Sequence, residues 1–354
     1  MAKPKIAIIF PEYNPDGHTH FPYWYKVFAL ASKKLDLFIL FESGKKQAKI
    51  ANAKSKIQNW QNKPINLLER LYYLVSLRLQ GYKVFYVHYS LFGFLLARLV
   101  TWILGGKVYL WDCEYYSQKP SNVFLIWAIK TCDSLVTGHE KIAKQYRKIL
   151  ELKNKDIKIV PNWVEEKPET KKLQTNKLRN ILFVHHLSPR KGSRLLPEII
   201  NKVLAQSKKT KFTIVGDGPD KAWLKQKLAP YIENGQVIIK GNLPRSQVNH
   251  EFEKADLLIM PSLSEGFPRV ILEAQSFGLP YVAFDVGCVA EISPMAESKY
   301  IIDNKNIKLF YQKIINFLDN QKKETQKLEP ILKKQSKQYS LKLAVKNFVN
   351  IFKD

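Results

Sequence analysis

The chain of 354 residues is poor in cysteine, in arginine and in acids to balance its bases. Its three cysteines, Cys113, Cys132 and Cys288, are odd in number and far apart. This argues against a disulfide framework and for a reducing compartment. No Cys/His cluster has zinc spacing. Of 57 basic residues nine are Arg and the rest Lys. Sequence-specific nucleic-acid readers use Arg for bidentate contacts, and no recognition-helix, zinc or RNA-stacking motif is present, so no nucleic acid is expected as a partner. No G-x-G-x-x-G follows the first apolar run, which weighs against a dinucleotide oxidoreductase. The longest apolar stretch, "LFGFLLARLVTWILGG", is broken by Arg98 and ends at Gly105, short of the roughly 20 residues of a membrane span. The opening "MAKPKIAIIF" is too short for a signal-peptide core and reads as a first strand. The expectation is a soluble cytoplasmic protein, at most peripheral at the inner face of a membrane.

The positive charge is spread along the chain. Up to Val160 there are 25 basic and 11 acidic residues, a surplus of 14; beyond it there are 32 and 20, a surplus of 12. A Lys excess of this kind suits solubility or weak attraction to an anionic membrane surface. It also leaves a charge-driven nucleic-acid binder as a minor alternative. With 45% hydrophobic residues the chain can bury two cores, and its length suits two domains.

Short buried-strand patterns alternate with helical ones. "KIAIIF", "LDLFILF", "KVFYVH", "KVYLWD", "SLVTG" and "IKIVP" fill the first half. A polar stretch, "EEKPETKKLQTNKLRN", then breaks the pattern at Pro168. It restarts with "NILFVHH", "KFTIVGDG", "QVIIKG", "ADLLIMPS", "PYVAFDVG" and "KYIID". Alternation of this kind predicts an α/β protein with two Rossmann-like, doubly wound parallel sheets. The boundaries read as 1–160, 161–335 and a greasy C-terminal helix over 336–354. In such sheets ligands bind outside the strands' carboxyl ends, and with two of them the natural site is the cleft they face.

The chemistry concentrates in "SEGFPRVILEAQSFGLP". Gly266 permits a tight turn, and Pro268 suits the first position of a helix that ends near Gly278. The helix start offers N–H groups and a positive dipole end to an anion. Glu265 precedes the helix; Glu273 lies about 7–8 Å along it, tilted back toward its start. Carboxylates suit hydroxyls. A diphosphate between two hydroxyl-bearing groups, which is a nucleotide sugar, matches this arrangement. Taken alone, the pair reads equally well as a capping acid and a solvated helix residue, but Glu273 sits in an otherwise apolar run. In "ILFVHHLSPRKGS", Arg190 and Lys191 follow a strand end and are candidates to neutralise the diphosphate. Gly216, in "FTIVGDGPD", serves a turn or close ligand approach. Gly241, Asn242 and Leu243 form a loop whose backbone could read a base.

Together these motifs resemble retaining glycosyltransferases of the GT-B fold, specifically glycosyltransferase family 4, the group 1 glycosyltransferases. "KIVPNWVE", "FVHHLSPRKG", "FTIVGDGPD", "VIIKGNLPRSQV" and "EKADLLIMPSLSEGFPRVILEAQSFGLPYVAFDVG" occur in the family's order, and the acid pair is similar to its E-x7-E motif. The resemblance implies that Glu265 contacts the donor sugar's hydroxyls and stabilises charge near the anomeric carbon. Glu273 would bind the ribose. The segment Phe267, Pro268, Arg269 and Val270 would hold sugar and phosphate. Arg190 and Lys191 would stabilise the leaving diphosphate, and the loop Gly241 to Leu243 would meet the base. It further implies a nucleotide-diphosphate sugar as co-substrate, no cofactor or metal, a glycan or lipid-linked acceptor, and front-face attack with no protein nucleophile.

Departures accompany the resemblance. His185 and His186 stand where the family has Gly-Arg, so Arg190 and Lys191 carry more of the charge work. The glycine-rich turn after the first strand is replaced by "PEYNPDGHTHF", with Asp16, Gly17, His18 and His20. The family's first-domain histidine is absent; "VYLWDCEYY" stands there, and Asp112 is the candidate replacement. His88, in "FYVHYS", is a further cleft candidate. These departures keep a catalytically weak sugar-nucleotide-binding protein as the alternative. "HFPYWYKVFALASKK" and "NLLERLYYLVSLRLQGYK" read either as core helices or as membrane-docking faces.

Overall fold

The computed structural model describes residues 2–15, 21–44, 47–59, 65–167 and 178–353. Asp16, Gly17, His18 and His20 lie outside the described residues, as does the middle of the polar stretch, 168–177. The chain divides into two compact units, Met1–Pro161 with Leu341–Asp354, and Asn162–Ser340.

In the first unit, β-branched and aromatic runs form β1 (Lys5–Tyr13), β2 (Asp36–Gly44), β3 (Lys54–Ile57), β4 (Val84–His88), β5 (Lys107–Trp111), β6 (Ser134–Thr137) and β7 (Ile157–Ile159). All pair in parallel, in the order β3-β2-β1-β4-β5-β6-β7. β3 was not foreseen: "KSKI" carries two lysines and one apolar residue, which an edge strand tolerates. Helices α1 (Phe21–Ala31), α2 (Ile65–Leu79), α3 (Leu91–Leu104), α4 (Val123–Thr131) and α5 (Glu140–Leu150) intervene. Side chains cap several of them: the Ser90 Oγ accepts from the Gly93 amide at 2.9 Å, and Asn122 Oδ1 from that of Leu125 at 3.1 Å. "FPYWYKVFALA" is a core helix, since α1 buries Trp24, Tyr25, Val27, Phe28 and Ala31.

The second unit repeats the plan. β8 (Arg179–Val184), β9 (Thr210–Val215), β10 (Val237–Gly241), β11 (Leu257–Met260), β12 (Tyr281–Phe284) and β13 (Ile301–Ile302) form a parallel sheet ordered β10-β9-β8-β11-β12-β13. Its helices are α6 (Leu196–Gln206), α7 (Lys221–Lys227), α8 (Ala229–Glu233), α9 (Arg245–Lys254), α10 (Arg269–Ser276), α11 (Val289–Ile292), α12 (Ile307–Asp319) and α13 (Gln321–Ser336). The last helix, α14 (Leu341–Asn350), belongs to the first unit, where Phe348 packs on Trp24, Phe28 and Tyr86.

Both sheets have the doubly wound order, in which the sense of strand addition reverses between the first and fourth strands. Loops leaving the carboxyl ends of those two strands diverge and leave a crevice. In the second unit that point lies between β8 and β11.

Candidate active site

The loops after β8 and β11 are locked together before any functional side chain is placed. Gly192 has φ +76°, and a Cβ there would lie 2.0 Å from the Pro261 carbonyl oxygen, so only glycine fits. The Leu263 amide donates to the Arg190 carbonyl at 2.8 Å. On the other side the buried Asp220 carboxylate accepts from Ser193 Oγ at 2.5 Å and Arg194 Nε at 3.2 Å. The "SPRKGS" turn is thus fixed on two faces, with Arg190 exposed and Lys191 buried.

Lys191 reaches across this junction. Its Nζ lies 2.7 and 2.6 Å from the two oxygens of Glu265, which is itself 6% exposed. His185 Nε2 lies 2.8 Å from Glu265 Oε1. The His186 amide points at His185 Nδ1, at 3.2 Å. An N–H can donate only to an unprotonated nitrogen, so the hydrogen of the His185 ring sits on Nε2 and is donated to Glu265. Burial lowers the His185 pKa, against the pull of Glu265, which favours this neutral form. For Glu265, burial alone would push the pKa up, but the bonds from His185 and Lys191 outweigh it and hold the carboxyl at about 2. Glu265 is therefore an ionised acceptor, poised without titrating near neutrality.

The turn that carries Glu265 is backed by Gly287, φ +61°, where a Cβ would lie 2.3 Å from the Gly266 carbonyl oxygen. That oxygen accepts from the Cys288 amide and thiol, and the Phe267 oxygen accepts from Asn162 Nδ2 at 3.1 Å. With the Gly266 carbonyl turned inward, the trans peptide sends the Phe267 N–H the opposite way. Pro268 is the residue before the helix rather than its first, and α10 starts at Arg269. Lacking an N–H, Pro268 shapes the turn but donates nothing. The first-turn residues Arg269 and Val270 sit at the positive end of the helix, beside the Glu265 turn. Glu273, buried on α10, faces Arg245 Nη1 at 2.9 Å and Arg269 Nη2 at 3.9 Å.

Of the residues named from sequence, the fold brings Glu265 and Lys191 into contact and places Glu273 one helix turn or two further on. Gly216 has φ +136°, and a Cβ there would fall 1.8 Å from the His185 carbonyl oxygen. Its glycine is thus explained by the approach of the β8 loop, without a ligand. His186 is exposed and its ring lies over Gly218, where a Cβ would come within 2.9 Å. Gly241 closes β10 after a register shift and pairs with Val215, followed by exposed Asn242 and half-buried Leu243. Asp112 lies in the first unit, buried after β5, with its oxygens 3.3 Å from the Glu114 amide and the Tyr116 hydroxyl. Burial, with Glu114 nearby, raises its pKa to about 7. His88 is packed, stacked between Phe10 and Trp111. Three residues that sequence reasoning passed over prove to build the site: His185, Gly287 and Arg245. His185 and Arg245 lay inside quoted motifs, and what hid their roles was that their partners are 80 and 28 positions away.

With this geometry in view, residues 165–337 match the family model described as glycosyl transferases group 1. The second unit is a group 1 glycosyl transferase domain. Among curated relatives, the phosphatidylinositol N-acetylglucosaminyltransferase gpi3 subunit of Schizosaccharomyces pombe is 30% identical over 152 residues, 42% of this chain and 33% of that protein. The chain thus spans about a third of that relative's length. Among solved structures, a glycosyltransferase from Rickettsia africae aligns with a TM-score of 0.78 at 14% identity, over 100% of this chain and 98% of that one. Anabaena HepE, in complex with UDP, aligns with a TM-score of 0.77 at 14% identity, over 98% and 99%. At these identities the likeness speaks for fold, and the fold of this chain is GT-B, two parallel α/β units in tandem.

Proposed function

We propose that this chain is a retaining glycosyltransferase that moves a sugar from a nucleotide-diphosphate donor to a glycan or lipid-linked acceptor, with no metal. The observation that carries the reading is the ionised Glu265 beside Lys191 and Arg190 at the β8/β11 crevice. A hydroxyl-seeking carboxylate and two phosphate-seeking cations within one rigid junction fit the sugar–phosphate bond of such a donor. In the proposed step the acceptor oxygen bonds to the anomeric carbon as the bond to the diphosphate breaks. The diphosphate keeps the electron pair and takes the acceptor's proton. Glu265 offsets the positive charge developing on the sugar, while Arg190, Lys191 and the start of α10 meet the charge on the departing phosphate. Glu273, bridged to Arg245, would take the ribose once the nucleotide is bound.

UDP-sugars are the first donors to try, because HepE was solved with UDP and the fission-yeast relative is named for N-acetylglucosamine transfer. Differential scanning fluorimetry with UDP-, GDP-, ADP- and TDP-sugars should show one class raising the melting temperature. Transfer or donor hydrolysis by the purified protein, lost in Glu265→Ala, separates an enzyme from a donor-binding protein without turnover. If no sugar nucleotide shifts the melt, the reading fails.

We further propose that the protein works at the cytoplasmic surface of an anionic membrane. No helix among the described residues is long and apolar enough to cross a membrane. Yet the outer face of α3 is apolar along its length: Phe92, Leu95, Leu99, Trp102 and Ile103 are exposed, Trp102 to 82%. A water-facing helix stripe is ordinarily polar. The neighbouring α4 adds Val123, Phe124 and Trp127 to the exposed apolar surface. At the far end of α3 stand Arg78, whose Nε donates to the Gly105 carbonyl at 2.6 Å, and the exposed Lys83 and Lys107. Aromatic residues with a basic rim suit the interface of an anionic bilayer.

A further inference from the structure

His185 occupies a place where the resembling family carries glycine, and it fills that place with a ring held at both nitrogens. Nδ1 accepts from the His186 amide, and Nε2 donates to Glu265. The backbone beneath is equally fixed. The His185 amide donates to the Val215 carbonyl at 3.0 Å, and the His185 carbonyl closes on Gly216 so tightly that no Cβ fits.

We propose that His185 is a positioning residue for the donor sugar: its Nε2–H anchors the Glu265 carboxylate, and keeps it anchored when Lys191 is drawn toward the donor's phosphates. This rests on the nucleotide-sugar reading above. Lys191 spans both Glu265 oxygens. A diphosphate concentrates more negative charge than a carboxylate, so a lysine lying between them turns to the phosphate as the donor binds. Glu265 then loses its main partner at the moment it must hold still against the sugar's hydroxyls. His185 supplies the bond that remains. Because its ring is neutral, it adds no positive charge to compete with the phosphate or to oppose charge developing on the sugar. The charged groups that act on the ring are Glu265 from the β11 loop and Lys191 and Arg190 from the β8 loop. Protonation would set an Nδ1–H against the His186 N–H, which adds to burial in favouring the neutral ring.

Two measurements on the full chain test this. The first needs no ligand: long-range proton–nitrogen NMR of the histidine rings, assigned with His185→Gln. At pH 7.5 the His185 signals should report the Nε2–H form, and Glu265→Gln should shift them. An Nδ1–H or doubly protonated ring, or signals blind to Glu265→Gln, overturns the anchor. The second is calorimetric titration of wild type, His185→Gln, His185→Gly and His185→Leu with UDP, UDP-glucose and UDP-N-acetylglucosamine, with thermal melts to confirm folding. UDP affinity should stay within about twofold throughout. The extra affinity contributed by the sugar should drop at least tenfold in His185→Leu and His185→Gly and return to within threefold of wild type in His185→Gln, whose amide can donate from a similar place. Equal sugar contributions in His185→Leu and wild type, or equal losses in His185→Gln and His185→Leu, overturn the proposal. A wild type that binds none of the three overturns the nucleotide-sugar reading and the sugar role with it, while the NMR result still decides whether His185 anchors Glu265.

Discussion

The two units share one strand order and spend it differently. At the reversal point of the second, a buried carboxylate meets a buried lysine and a half-buried histidine. At the corresponding point of the first, the strand-end histidine, His88, is sandwiched between Phe10 and Trp111. The histidine at that point meets a carboxylate in one unit and is packed between rings in the other. The surfaces differ as well. Of the nineteen large apolar residues exposed among the described residues, fifteen lie in the first unit. A shared topology thus fixes where a site can form, and side chains decide whether one does.

The sharpest way to break the comparison is to remove Glu265. Glu265→Ala should cut transfer about a hundredfold or more. It should also destabilise the protein by about 3 kcal/mol, since Lys191 and His185 lose the carboxylate they face in a buried place. Chemical denaturation and a donor-turnover assay read the two effects. Unchanged stability would mean that the buried cluster is not what holds the junction.

Next come two of the buried carboxyls, Glu265 and Asp112, whose pH responses should have opposite sign. Glu265 is held at about 2, below its usual 4.5, so its stabilisation is present above 4.5 and is lost as pH falls toward 2. Asp112 is raised from 3.8 to about 7, so its contribution is present below 3.8 and is lost as pH rises through 7. Asp112→Asn should remove a stability loss of the order of a few kcal/mol between pH 5 and 8. Denaturant midpoints of the two proteins at both pH values check it; Glu297, which burial raises to about 8, keeps part of the slope in both, and a slope no shallower in Asp112→Asn than in wild type would place the titration elsewhere.

Smaller effects follow at the glycines. Gly287→Ala puts a Cβ against the backbone of the Glu265 turn at φ +61°, and should cost about 2 kcal/mol. Gly235, with φ +76° but nothing within 4 Å, should lose only about 1 kcal/mol to alanine. Thermal melts of the pair separate backbone strain from close approach. Last is the exposed face of α3 and α4. Trp102→Glu with Phe124→Glu should weaken co-sedimentation with anionic liposomes at least tenfold and leave stability within about 0.5 kcal/mol. Failure of wild type to sediment at low salt would remove the membrane role.

Much of the fold was legible in the chain because buried parallel strands announce themselves as short apolar runs. "KIAIIF", "NILFVHH" and "ADLLIMPS" needed no partner to be read. "KSKI" did: an edge strand with so little apolar content becomes a strand only by pairing with β2. "LFGFLLARLVTWILGG" was legible as greasy, but which of its residues would face water was not, and those exposed turned out to include the bulkiest. At the site, Glu265, Lys191 and Glu273 stood out by residue type and by order. His185 did not, because its meaning lies in a contact 80 positions away.

The sequence by itself determined the strand order's raw material, the acid pair and the basic turn, since periodicity and residue chemistry are local properties. The tertiary structure alone decided that Lys191 and His185 both meet Glu265, that Asp112 is buried to near neutrality, and that Gly216 and Gly287 are spaces for backbone. Those facts depend on loops from distant strands being pressed together, and on how much water the packing removes from each charge. Neither is written in any window of the chain.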